Sequence, residues 1–321
     1  MRAGTRHARS DRWRLRQIAV LVCGALSMSA MTEAAAQTGE RGVSCAGLET
    51  GPMRTVARVI DGETVALDDG TELRLIGALA PRAIDAGAEP GTWPLELAAQ
   101  EELRALVLGK SIELAFDRER TDRYGRLQAH AFWMEGGDRR WVQGHLLQQG
   151  LARAYAQAGN RACAGEALEA ERMAREARRG LWGDAAYRAR PADSPRELLR
   201  YRSTFQVVEG RIARVAQGRG SIYLNFGDNR RAFAASLRRG DRGLLGPFAD
   251  DPKALEGRLA RVRGWIEQRQ GPTIDLSTAG LIEVLDAPAP AAGVGRRTRA
   301  SRDLQRQEPD AKPPSLVETG R

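Results

Sequence analysis

Three short extended segments crowd into residues 54–76, and the turns between them leave one way to arrange them. Residues 54–60 (Arg-Thr-Val-Ala-Arg-Val-Ile) alternate as a half-buried strand does. Asp61-Gly62 turns the chain, residues 64–67 (Thr-Val-Ala-Leu) form a second strand, and Asp68-Asp69-Gly70 is a strong hairpin signal before a third strand at residues 73–76. Parallel neighbours would need a long crossover between them, so these strands must form an antiparallel meander.

The rest of the chain extends that pattern. Residues 79–92 read as a loop, with Pro81 and Pro90. A helix starts at Pro94, carries Leu95, Leu97, Ala98, Leu103, Leu106 and Val107 as its apolar stripe, and stops at Gly109. Strands follow at 111–116 and 127–133, the second entered through the turn Asp122-Arg123-Tyr124-Gly125-Arg126. Helices are predicted over 141–149 and 164–179, separated by an extended piece at 150–155, and Gly180-Leu181-Trp182 closes the unit. Five strands with a helix between the third and fourth make an α+β oligonucleotide-binding (OB) barrel pattern, here with two C-terminal helices appended.

The domain boundaries predicted are a leader at 1–36, an irregular lead at 37–53, the first domain at 54–188, a Pro-containing linker at 189–203, a second small OB-like β-barrel at 204–286 and a disordered tail at 287–321. The leader has six arginines in residues 2–16, an apolar run at 18–26 and small residues through Ala36, which is the grammar of a secretory signal. The apolar run is too short to span a bilayer comfortably, so no membrane span is expected once it is cleaved. The predicted location is exported, periplasmic or secreted. Losing six arginines together with Asp11 and Glu33 lowers the formal charge from +9 to +5, a modest basicity that favours polyanion partners. Two cysteines remain, Cys45 and Cys163. In an oxidising compartment an even pair reads as one disulfide, worth roughly 4–5 kcal/mol by loop entropy for so long a loop.

Residues 59–82 place two acids, Asp61 and Glu63, at a turn, with Arg74 on a neighbouring strand and a proline loop beyond. A phosphodiester is anionic and slow to hydrolyse, and carboxylates holding a hard cation beside fixed arginines supply what its cleavage needs. His130 and His145 have no ligand partners at metal spacing, and no Ser/His/Asp triad, Walker-type loop or zinc pattern is present.

Taken together, Val59-Ile60-Asp61-Gly62-x-Thr64-Val65, Arg74-Leu75-Ile76-Gly77, Ala80-Pro81, Asp122-Arg123-Tyr124-Gly125-Arg126, Leu147-x-x-Gly150-Leu151-Ala152 and Arg179-Gly180-Leu181-Trp182 resemble a staphylococcal-nuclease-type (thermonuclease-like) domain over residues 54–183. The resemblance implies a calcium-dependent nuclease acting on DNA and RNA, with two metal-binding aspartates, a glutamate that activates water and two arginines that clamp the phosphate. Arg74 and Arg126 match the clamp and Asp61 matches a flanking acid. Glu63 matches the first metal aspartate, one methylene longer. Leu79 stands for the second metal aspartate and Arg82 for the general base. On that pattern Arg82 is expected to replace the cation beside Asp61 or Glu63. An alternative has Asp85 or Glu89 swing in as a substitute ligand.

Candidate binding residues are Arg123, Tyr124 and Tyr155 in the first domain. In the second they are Tyr223 and Phe233, amid many arginines that include Arg211, Arg231 and Arg263. Three functions follow as expectations: a weak or inactive nuclease relative that binds nucleic acid or another polyanion and needs no cofactor; a working calcium-dependent nuclease; and a non-catalytic envelope interaction module.

Overall fold

The structure, a computed structural model, describes residues 45–286 apart from 46, 90 and 219; the predicted signal and the tail lie outside the described residues. The first domain is built on β1 (Glu49–Val59), β2 (Thr64–Leu67) and β3 (Glu72–Leu75), which pair antiparallel with Val59 opposite Val65 and Thr64 opposite Arg74. A two-residue strand β4 (Ala78–Leu79), a single-turn helix α1 (Ala83–Ala86) and the longer α2 (Pro94–Val107) follow. Next come β5 (Ser111–Phe116), β6 (Leu127–Glu135) and β7 (Asp138–Trp141). The sheet runs β3-β2-β1-β5-β6, and β3 also pairs in parallel with β6, so five strands close into a barrel. Val56, Val65, Leu73, Ile112, Leu114 and Phe132 fill it, and α2 seals one end with Leu103 and Val107. Removing such large apolar side chains from water is the main drive for closing the barrel.

Three features depart from the sequence reading. The lead is not irregular throughout, because β1 begins at Glu49 and pairs with β5 there, Glu49 lying opposite Phe116. β7 was not predicted at all. Gly136 and Gly137 both take positive φ (59° and 92°), the geometry a two-residue hairpin requires, but Asp138-Arg139-Arg140 offers no apolar alternation to reveal a strand. The loop after β3 is partly ordered: β4 pairs antiparallel with β8 (Arg153–Ala154), so that Leu79 faces Arg153 in register.

Helix α3 (Val142–Gln148) packs on α4 (Ala164–Glu176), and a 3-10 turn at Gly180–Gly183 follows. Cys45 and Cys163 are bonded, closing the chain across 118 residues of sequence.

The stretch predicted to be a linker holds β9 (Arg190–Pro191) and α5 (Pro195–Arg200), and its Ala192 and Leu198 are buried in the second core. Beyond it lie β10 (Phe205–Arg211), β11 (Arg214–Gln217), β12 (Ser221–Asn225), β13 (Ala234–Arg238), β14 (Leu259–Trp265), β15 (Glu267–Gln268), β16 (Pro272–Asp275), α6 (Leu276–Ala279) and β17 (Gly280–Val284). They sort into a four-stranded sheet, β17-β14-β10-β9, and a five-stranded sheet, β11-β12-β13-β16-β15.

The two modules meet over a substantial junction. Tyr155 packs edge-on against Phe205 and Trp265, with ring centroids 5.9 and 5.2 Å away, and Leu79 joins this cluster. Arg263 of β14 is fully buried. It reaches both oxygens of Glu171 on α4 at 2.5 and 2.6 Å and also pairs with Glu283. The sequence offered Arg263 as one more surface arginine, but Glu171 and Glu283 hold it inside.

Candidate functional site

The turn from β1 to β2 sets the site. Asp61 Oδ1 accepts the Glu63 amide at 2.8 Å, an Asx-type turn that aims the Glu63 side chain inward. Gln100 of α2 donates to the Ile60 carbonyl and fixes the turn from behind. Gly62 is needed because a Cβ there would sit 2.8 Å from Ala80 and 2.9 Å from Ala99, so the turn can press against the β4 loop and α2 only without a side chain.

Glu63 is 2% exposed, and both of its oxygens are occupied. Oε2 accepts the Ala80 amide at 3.0 Å. Oε1 meets the Arg74 guanidinium at 2.8 Å and that of Arg82 as well. Of the two partners predicted for Arg82, the structure selects Glu63. That carboxylate raises Arg82 above its ordinary pKa despite the opposing effect of burial. Asp61 moves the other way for an acid: burial first, and then the nearby Glu63 charge, push its carboxyl up. Two acids and two arginines therefore balance locally.

Asp85, offered as a substitute ligand, is taken. It binds Arg153 at 2.5 Å, and the same guanidinium donates to the Phe205 carbonyl of the second module at 2.8 Å. Leu79 is 4% exposed and packs into the junction cluster. Among the described residues, no group of three His, Cys, Asp or Glu side chains converges as a metal cage.

Arg126 lies just before β6, and β6 pairs with β3 so that Gln128 faces Arg74. The two clamp candidates thus come from adjacent strands. Arg126 pairs with neither Asp61 nor Glu63 but with Asp122, through Nε at 2.8 Å and Nη2 at 2.7 Å. Asp122 also accepts the amides of Tyr124 and Arg126, which rigidifies the turn. Tyr124 projects from its tip, 68% exposed, with the Arg123 and Arg126 guanidiniums 4.8 and 5.4 Å from its ring centroid.

The other aromatic candidates fare differently. Tyr155 is buried between the modules, and burial raises its phenol above the ordinary value. Phe233 is fully buried against Phe226, so it is core and no stacking platform; Tyr223 stays half-buried on β12. His130 is buried beside Trp141, and burial lowers it to about 4. His145 pairs with Glu102 at 2.6 Å. Sequence reasoning missed Arg153 and Glu171, which tie the first domain to the second. Arg153 directly follows the Gly150-Leu151-Ala152 motif, but nothing local marks a charged side chain as buried.

Comparison with known proteins bears on the fold of the first domain. Residues 72–184 match the family model described as staphylococcal nuclease homologue. The thermonuclease of Staphylococcus hyicus is 28% identical over 134 residues, covering 40% of this chain and 75% of that protein. The thermonuclease of Staphylococcus intermedius is 36% identical over 104 residues, covering 31% of this chain and 57% of that protein. The closed five-strand barrel fits that family match, and the chain carries a staphylococcal nuclease homologue domain over residues 72–184.

Proposed function

We propose that this chain is an exported nucleic-acid-binding relative of the thermonucleases, in which Arg82 occupies the role a metal ion would have beside Glu63. The observation that carries the reading is the Arg82 guanidinium seated on Glu63 Oε1, with Arg74 on the same oxygen. Calcium takes about six to eight oxygen ligands. Here both Glu63 oxygens already accept N–H groups, and Leu79 brings none. The residues present do not fit a resident calcium ion, and no catalytic step is derived through one.

What remains suits binding. Arg82 is 46% exposed, so an incoming phosphate can share its guanidinium, and Arg126 lies in the turn that leads into β6, the strand beside Arg74. Exposed Tyr124 offers a face on which a base can stack, between two arginines. Positioning by arginines alone leaves most of the hydrolytic barrier standing. The bonded Cys45–Cys163 pair supports an oxidising compartment and so the export reading.

The test is single-stranded DNA binding and cleavage across a salt series, with calcium and with chelator. Salt-sensitive binding that ignores the chelator, without cleavage, is the expected result. Calcium-dependent cleavage that Arg126→Ala abolishes would instead establish a working nuclease. Absence of both binding and cleavage would favour the interaction-module reading.

A further inference from the structure

A second basic feature lies where the modules meet. A cleft of about 580 Å³ is walled on one side by Arg118, Glu119 and the 158–161 loop, and on the other by Arg238, Asp241 and Ser277. That volume is in the range of small-ligand sites. Arg161 enters from the first domain, and its guanidinium donates to the carbonyls of Leu276 and Gly280 at 2.6 and 2.8 Å. Its hydrogen-bond partners are neutral, so this half-buried positive charge is not directly paired. Arg118 has its amide pinned to the Gly159 carbonyl, while its exposed side chain makes no ion pair among the described residues.

The acids of the cleft are unequal. Asp241 is bound by Arg238 at 2.7 Å. Glu119 is exposed, and its carboxyl lies against Gly159, where a Cβ would meet it at 2.6 Å. Three arginines thus face one neutralised and one open carboxylate. Arginine forks match phosphate oxygens in shape as well as charge.

We propose that this inter-module cleft is a phosphate-ester subsite, with Arg118 and Arg161 as its phosphate ligands and Glu119 as the group that limits its affinity. The segment that lines it also runs directly into the Asp122–Arg126 turn. A strand held at that turn would therefore extend toward the cleft, a path that rests on the nucleic-acid reading above; the subsite itself stands without that reading.

Calorimetric titration of the full chain with 5′-thymidine monophosphate and with a short oligothymidylate tests it. Arg118→Gln should weaken binding about tenfold, as expected for losing a hydrogen bond to a charged group. Arg118 is exposed and unpaired, so this variant leaves the fold intact. Glu119→Gln should tighten binding. Arg126→Ala, which disables the other region, should leave the Arg118→Gln effect on the mononucleotide undiminished, so that the two regions are read apart. Binding of both ligands identifies a free phosphate ester as sufficient, and binding of the oligomer alone identifies a strand phosphate; either supports the subsite if Arg118→Gln weakens it. The proposal is overturned if neither ligand binds at about 1 mM, or if Arg118→Gln and Arg161→Gln both leave the affinity unchanged.

Discussion

Glu63 and Glu171 are buried to nearly the same degree and are held in nearly the same way. Each accepts one backbone amide, from Ala80 and Ala154 respectively, and each faces two arginines. The difference lies in what covers the arginines. Arg82 over Glu63 is 46% exposed, whereas Arg263 over Glu171 is 0% exposed. In the first case the carboxylate anchors a cation whose outer face is open to a ligand. In the second it welds the two modules together. One local chemistry serves binding or cohesion according to whether water reaches the guanidinium.

The sharpest way to break this contrast is to remove the sealed cation. Arg263→Met leaves Glu171 facing Arg175 alone and strips Glu283 of its closest partner. Truncating one member of a buried ion pair costs about 3–5 kcal/mol. Urea unfolding should show a loss of that size. A loss near that of a surface pair would mean that the junction is not a weld.

An intermediate effect is expected between the two regions. Leu79 is expected at the site on the resemblance alone, but by contact it belongs to the junction, packed with Tyr155 and Phe205. Leu79→Asp should cost about 2–3 kcal/mol through lost apolar packing, partly relieved because Arg153 faces it across the β4–β8 pair. Arg82→Gln should cost under about 1 kcal/mol, because its head is half in water. If the order of these two were reversed, Arg82 would be a structural element and not an accessible phosphate partner. The ordering also explains why restoring an acid at position 79 is not a simple repair: it opens the seam under Phe205.

The sequence exposes the meander, α2 and the hairpin turns because each is written in a local period. Alternation at 54–60 and the stripe from Leu95 to Val107 need no knowledge of the rest of the chain. The junction is illegible for the opposite reason. Glu171 with Arg175 reads as an ordinary solvated i,i+4 pair on α4, and only the arrival of Arg263 from 92 residues away turns it into a buried cluster. Leu79 reads as a lost ligand, while its apolar partners Phe205 and Trp265 lie in another module. At the candidate site the turn, Arg74 and Arg82 were legible by position. The choice of Glu63 over Asp61 as Arg82's partner was not, because it depends on which acid points inward.

The smallest expected effect separates the regions by sign. Burial and the Glu63 charge raise the Asp61 carboxyl above its ordinary 3.8. The folded state therefore prefers neutral Asp61, and the stability this brings is full below pH 3.8 and lost as pH rises through the raised value. Asp61→Asn, which never ionises and keeps an acceptor for the Glu63 amide, should be more stable than the parent at pH 7 and equal to it in acid. At the junction, burial alone would raise Glu283, but Arg263, Arg175 and Arg261 outweigh it and hold the carboxyl below its ordinary 4.5. Its contribution is present above pH 4.5 and is lost as pH falls through the lowered value. Glu283→Gln should therefore be less stable than the parent at pH 7, with the gap closing in acid. Denaturant unfolding of both variants from pH 3 to 7 reads the two signs directly. If both variants shift the same way at neutral pH, the open and sealed carboxylate clusters do not differ in the electrostatic sense argued for them.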